Sequence, residues 1–186
     1  DGSRDGSLAI LKARAESDAR LHIVSRGNRG LVASLNEGIS MARSEFVAIM
    51  NADDVSLPHR LERQLAFLLS HPHVAVVGSQ VQLLVDGRPP SVVARLPVTP
   101  AEVRAFLPLA SPLTHPAVMF RRQAVIDCGL YRTAMMPAED YDLWLRISDH
   151  HEIANLPEVF LNYRLHAGQV SANRYEAVAV ATLAAQ

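Results

Sequence analysis

The chain has 186 residues, enough for one domain with a real core, and 49% of them are apolar. With 18 Lys+Arg against 19 Asp+Glu the formal net charge is −1, which argues against a broad nucleic-acid or anionic-membrane surface. A single cysteine, Cys128, excludes an internal disulfide and fits a reducing compartment.

In chain order, the polar turn DGSRDGS leads into SLAILKARAES, a short helix expected to turn Leu8 and Leu11 inward. RLHIVS (20–25) reads as a strand and RGNRG as a turn. LVASLNEGISMARS (31–44) sets Leu31, Leu35, Ile39 and Ala42 on one helical face. FVAIM (46–50) is an apolar run of strand length, as expected of a strand covered on both faces. After NADDVSLP comes a helix from Pro58 to Ser70 with Leu61, Leu65, Leu68 and Leu69 as its apolar face and Ser56 as a cap.

VAVVGSQVQLLV (74–85) is a further strand, bent at Gly78 and too interrupted by Gly78, Gln80 and Gln82 to cross a bilayer. DGRPP (86–90) is a turn, and a short helix begins near Thr99 with Glu102 placed for a capping box. SPLTHP (111–116) reads as a loop, AVMFR (117–121) as a strand, and EDYDLWLRISDH (139–150) as a helix entered from Pro137. EVFLNYRLH (158–166) alternates like a strand, and the tail 171–186 is an alanine-rich helix. Strands alternating with helices of this length predict an α/β sheet, parallel in large part, in one domain.

Chemistry can sit in three places. Asn51-Ala52-Asp53-Asp54 puts two carboxylates after a strand, where ligands of open α/β sheets bind. A hard divalent cation takes one or two carboxylates and fills its shell with water and substrate phosphates. Equally, Asn and Asp favour turns, and Asp54 can simply cap the next helix. Glu139-Asp140 opens the Tyr141-Asp142-Leu143-Trp144 helix, whose dipole would keep Asp140 ionised and ready to accept a proton; the same dipole makes first-turn acids common. There Asp142 and Arg146 are also spaced as an ordinary i,i+4 pair, and Trp144 reads as core. Tyr163-Arg164-Leu165-His166 ends a strand with two groups that can hold a phosphate or complete a metal site.

The ordered set NRGLVASLNEGI (28–39), FVAIMNADDVSLPHRLERQ (46–64), HPAVMFRR (115–122), AEDYDLWLR (138–146) and YRLH (163–166) resembles the family 2 glycosyltransferases, inverting enzymes of the GT-A fold. The resemblance runs from Asp1 to about residue 171. It implies that Asp53 contacts the donor ribose, that Asp54 holds a divalent Mn²⁺ or Mg²⁺ bridging the diphosphate, and that Asp140 is the catalytic base. It places Arg164 and His166 over the diphosphate, the latter toward the metal, and His115, Glu139 and Trp144 on the acceptor side. The family often has an acid where this chain has Asn51, which adds no charge.

By the same resemblance Asp1 is the aspartate that contacts the nucleotide base, and two family strands would precede it. The expectation is therefore a fragment with little or no transferase activity alone, and with an open FVAIM edge prone to self-association. The implied partners are a nucleotide-diphosphate sugar and a saccharide or lipid-linked acceptor, with no nucleic acid. The implied location is the cytoplasm, with peripheral membrane association left open. A nucleotidyltransferase-like enzyme and a non-catalytic binding or assembly module are the competing readings.

Overall fold

In the computed structural model the chain divides into two compact units, Asp1–Met41 and Ala42–Gln186. The structure describes residues 1–85, 88, 90–92, 95–166 and 168–169. The expected helix 171–186 and most of the DGRPP turn lie outside the described residues.

In the first unit α1 spans Ser7–Ser17 and buries nothing. Leu8 is half-buried and Leu11 is exposed, so the expected inward face is not formed. Helix α2, Leu31–Met41, buries Ile39 as expected, with Leu35 half-buried, but at its start Val32 is buried in place of Leu31, which stays exposed. RLHIVS is not a strand. A strand exists only through its ladder partners, and the backbone bonds here are a local turn from the Leu21 N–H to the Asp18 carbonyl (3.1 Å) and one from the Gly2 N–H to the Arg26 carbonyl (2.8 Å).

The second unit holds β1 (Phe46–Ala48), β2 (Val55–Ser56), α3 (Arg60–Ser70), β3 (Val74–Leu84), β4 (Ser91–Val92), α4 (Pro100–Phe106), β5 (Met119–Arg121), α5 (Arg122–Asp127), α6 (Glu139–Ser148) and β6 (Glu152–Arg164). Short 3-10 turns lie at His115–Ala117 and Thr133–Met135. Among the described residues the sheet runs β1-β5-β3-β6-β2, with β4 attached to β3. Among the described residues only β3 and β6 pair in parallel, from Val74↔Glu152 to Leu84↔Arg164, and the other pairings are antiparallel. The largely parallel sheet expected from helix–strand alternation is therefore mixed, built around one long parallel pair.

Strand β6 begins six residues earlier than expected. The register jumps from Ser79↔Leu156 to Gln80↔Val159, so Pro157, which has no N–H for a ladder, sits in the irregularity. Gly78 faces Asn155 across the pair. A Cβ there would collide with the Asn155 Oδ1 and approach Leu113 Cδ2 to 2.8 Å. The amide of Asn155 in turn ties down two loops, donating to the carbonyls of Pro97 (2.7 Å) and Pro112 (2.9 Å). Leu68, Val74, Val77, Met119, Ala154, Leu156 and Phe160 form a core cluster around this strand pair.

Strand β1 is an edge of the described sheet, and of FVAIM only Ile49 is buried. Its expected burial on both faces is not realised, since Phe46 and Val47 are half-buried and Ala48 is exposed. Helix α3 starts at Arg60, after His59 at φ 64°, with no side-chain cap from Ser56. Its buried stripe is Arg60, Gln64 and Leu68, while Leu61, Leu65 and Leu69 face outward. Helix α4 has the expected capping box: Thr99 Oγ1 accepts the Glu102 N–H (3.2 Å) and Glu102 Oε2 accepts the Thr99 N–H (2.9 Å).

Candidate active site

The chain leaves β1, passes Ile49 and Met50, and enters the Asn51-Ala52-Asp53-Asp54 loop ahead of β2. Pairing of β2 with β6 at Val55↔Asn162 and Ser56↔Leu161 lays that loop against the end of β6. Asp54 is buried, and its Oδ1 accepts the backbone N–H of Arg164 (2.8 Å). Arg164 Nε donates to the Asp53 carbonyl (2.8 Å), and His166 Nε2 lies 2.9 Å from Asp53 Oδ2. The sequence-predicted residues Asp53, Asp54, Arg164 and His166 thus form one cluster.

The second oxygen of Asp54, Oδ2, is buried without a hydrogen-bond partner among the described residues. Burial raises the pKa of Asp54 and the charge of Asp53 adds to the rise, against hydrogen bonds from the Arg164 N–H and the Asn51 side chain. A carboxylate oxygen left without a donor, beside a second carboxylate, fits a hard divalent cation. Among the described residues no three His, Cys, Asp or Glu side chains are grouped to hold an ion by themselves. A cation here would need phosphate oxygens or water to complete its shell.

The start of α6 builds a second cluster. Asp140 Oδ1 accepts the Tyr141 N–H (2.8 Å), and burial raises the pKa of Asp140. Glu139 is buried with Oε2 unpartnered among the described residues; burial raises its pKa, Asp140 adds to the rise and His115 opposes it. His115 Nε2 lies 2.9 Å from the Tyr131 hydroxyl, and its ring centroid is 6.2 Å from that of Trp144. Burial pushes His115 down to about 4, so its imidazole is neutral at neutral pH. Trp144 is wholly buried, which makes its ring a core element. Asp142, also buried, is held by Arg132 and Arg146 (2.7 Å to the latter), as the i,i+4 spacing predicts.

Asp1 belongs to the first unit, and both its oxygens are engaged there. They accept the backbone N–H groups of Arg29 (2.9 Å) and Gly30 (2.9 Å), and the Arg26 guanidinium pairs with the same carboxylate. Arg26 also pairs with Glu37 (2.6 Å). Asp1 therefore fixes the turn that precedes α2, with Gly30 at φ 90°.

Sequence reasoning missed Arg60 and Gln64. Arg60, 2% exposed, donates from Nη2 to the carbonyls of Ile49 (2.9 Å) and Val118 (3.2 Å), and from Nε to Gln64 Oε1 (3.1 Å). Gln64 Nε2 donates to the carbonyls of Val77 (3.1 Å) and Ala117 (2.7 Å). Burial lowers Arg60 to about 10, and the charge of Asp54 works against that fall. The available signal was their i,i+4,i+8 alignment with Leu68.

The fold is that of the GT-A glycosyltransferases. Staphylococcus aureus TarS 1-349, solved in complex with UDP-GlcNAc, superposes with a TM-score of 0.71 at 20% identity, over 97% of this chain and 55% of its own. The mannosyltransferase PcManGT from Pyrobaculum calidifontis, solved with GDP-Man and Mn²⁺, gives a TM-score of 0.69 at 20% identity over 98% and 51%. The sequence profile described as Glycosyl transferase family 2 matches residues 1–129, and the chain belongs to that family. The amylovoran biosynthesis glycosyltransferase AmsE of Erwinia amylovora is 35% identical over 176 residues, 94% of this chain and 65% of AmsE. The O-antigen biosynthesis glycosyltransferase WbnJ of Escherichia coli is 31% identical over 163 residues, covering 84% and 61%. The chain thus spans under two thirds of these curated relatives.

Proposed function

We propose that this chain carries the catalytic centre of an inverting glycosyltransferase that moves a hexosyl or related sugar from a nucleotide-diphosphate donor to an acceptor hydroxyl. The observation that carries the reading is the convergence of Arg164 and His166 on Asp53 and Asp54 across more than 100 residues. In this reading Asp54, with His166 alongside, holds Mn²⁺ or Mg²⁺. Asp53 meets the donor ribose, and Arg164 lies toward the diphosphate. Asp1, its carboxylate fixed by the Arg26–Gly30 turn, is assigned to the nucleotide base.

When bound, the cation supplies positive charge to the leaving diphosphate, a stabilisation of several kcal/mol in the transition state. Asp140 takes the proton of the acceptor hydroxyl as that oxygen attacks the anomeric carbon. The bond to the diphosphate breaks on the opposite side, so the configuration inverts and no enzyme-bound sugar forms. Burial strengthens Asp140 as a proton acceptor by disfavouring its charged form. Glu139 and the neutral His115 line the acceptor side, with Trp144 packed behind them.

Relatives named for amylovoran and O-antigen biosynthesis support a bacterial cell-surface polysaccharide as the product, with a saccharide or lipid-linked acceptor. Among the described residues no helix is long and apolar enough to cross a membrane. A cytoplasmic enzyme at the inner face of the membrane, self-associating through the β1 edge, completes the proposal.

Calorimetric titration of UDP, GDP and their sugars in the presence of Mn²⁺ tests it. Nucleotide binding is expected to require the metal and to be lost in Asp54→Ala. Equal binding in the presence of a chelator would overturn the metal assignment.

A further inference from the structure

Helix α3 departs from its own apolar pattern. Three leucines are turned outward so that an arginine and a glutamine can be buried. Burying a guanidinium away from water is unfavourable unless its donors are satisfied, and a leucine at the same place would pack without that penalty. The donors of Arg60 and Gln64 go to four main-chain carbonyls, of Ile49, Val77, Ala117 and Val118. Ile49 lies two residues before the Asn51–Asp54 loop. Ala117 and Val118 lie two and three residues after His115. Arg60 Nη1 also reaches Met50 Sδ (3.4 Å), the residue next to Asn51.

We infer that Arg60 and Gln64 are positioning residues that hold the aspartate loop and the His115 segment in fixed relation, and so set the geometry with which Asp54 meets a divalent cation. The inference rests on the metal reading of Asp54 given above. The four carbonyls belong to three separate stretches, the end of β1, the middle of β3 and the residues entering β5. One fork of hydrogen bonds from a single helical turn ties all three. The ladder bond from the Ile49 N–H to the Val118 carbonyl (3.0 Å) runs between the same two stretches, and Arg60 donates to that same carbonyl. Neither side chain touches a ligand in this assignment; each acts through the backbone that carries the ligating groups.

Three variants of the full chain test the inference, with Mn²⁺ affinity measured by electron paramagnetic resonance in saturating UDP. Gln64→Leu and Arg60→Met are expected to weaken Mn²⁺ binding by roughly 10- to 100-fold, the range found for residues that orient metal ligands. Arg60→Lys is expected to recover part of the loss, since an ammonium reaches one carbonyl but cannot fork. A purely structural role would lower the melting temperature and leave the Mn²⁺ affinity of the folded protein at its wild-type value. That result in variants with native circular dichroism would overturn the inference.

Asp54→Ala separates the two levels of the argument. If it too binds Mn²⁺–UDP normally, the metal assignment falls and takes the inference with it. If it loses binding while the α3 variants keep theirs, the inference alone falls. Should the α3 variants fail to fold, nuclear magnetic resonance of the wild-type chain decides. Adding Mg²⁺–UDP is expected to shift the Arg60 Nε–H and Val118 amide signals together with those of Asp53 and Asp54. Shifts confined to Asp53 and Asp54 would overturn it.

Discussion

The backbone N–H of Arg164 donates to Oδ1 of Asp54 at 2.8 Å, joining positions 110 residues apart. The bond is made by the main chain, so any residue but proline at 164 preserves it. It leaves Oδ2 as the single unpartnered oxygen of that carboxylate among the described residues. Orientation and availability are thus divided between the two oxygens of one side chain.

Asp54→Asn keeps the shape and an acceptor for the Arg164 N–H while removing the charge. It is expected to retain the fold and to lose metal-dependent binding of nucleotide. Titration of UDP with and without Mn²⁺ checks this; a full metal response in the variant would contradict it.

In an active form of the enzyme, Asp140→Asn is expected to bind donor as the wild type does and to lower kcat by about 10² to 10⁴-fold, the usual worth of a positioned general base. Initial rates with donor affinity measured in parallel distinguish this outcome from a binding defect. Unchanged turnover would refute the assignment.

His115 gives a pH dependence with a definite sign. Its folded value is about 4 against 6.5 unfolded, because burial disfavours the imidazolium. The unfolded chain therefore binds the proton first, and stability falls as pH drops from 6.5 toward about 4. The loss approaches about 3 kcal/mol at the acid end of that window. Denaturant unfolding of His115→Asn is expected to be flatter than wild type across the same interval.

Asp142 also loses stability as pH falls, but there the fold favours the charged form. Burial alone would raise its pKa, but hydrogen bonds from Arg132 and Arg146 outweigh it and hold the carboxyl below its ordinary 3.8. The stabilisation is fully present above that value and is lost as pH falls through the depressed folded one. Asp142→Ala leaves two arginines facing an empty pocket. With Arg132 half-exposed, the expected cost is at the low end of the range for broken buried pairs, about 3 kcal/mol by thermal or urea unfolding.

Legibility in the sequence followed the range of the interaction. The capping box of α4 was readable because Thr99 and Glu102 are three residues apart and serve each other. The order of NADD, ED and YRLH pointed to the family, and the structure brings Asp53, Asp54, Arg164 and His166 together. The face of α3 was not readable. Periodicity registers which side chains are apolar, not which carbonyls a neighbouring strand end leaves open. RLHIVS had strand composition, but composition supplies no ladder partner. The hold of Arg164 on Asp54 was invisible for a simpler reason, since a main-chain donor leaves no mark in a one-letter code.

The sheet order has a consequence for the chain as it is made. Strand β6, the last of the described strands in sequence, is inserted between β3 and β2. Synthesis runs from the N-terminus and domains fold as units, so the place between β3 and β2 stays open until residues Glu152–Arg164 leave the ribosome. A nascent chain halted before Glu152 already contains Asp53, Asp54 and Asp140. It has no Arg164 or His166 to gather the first two, so the cluster at the loop assembles only once β6 has been made.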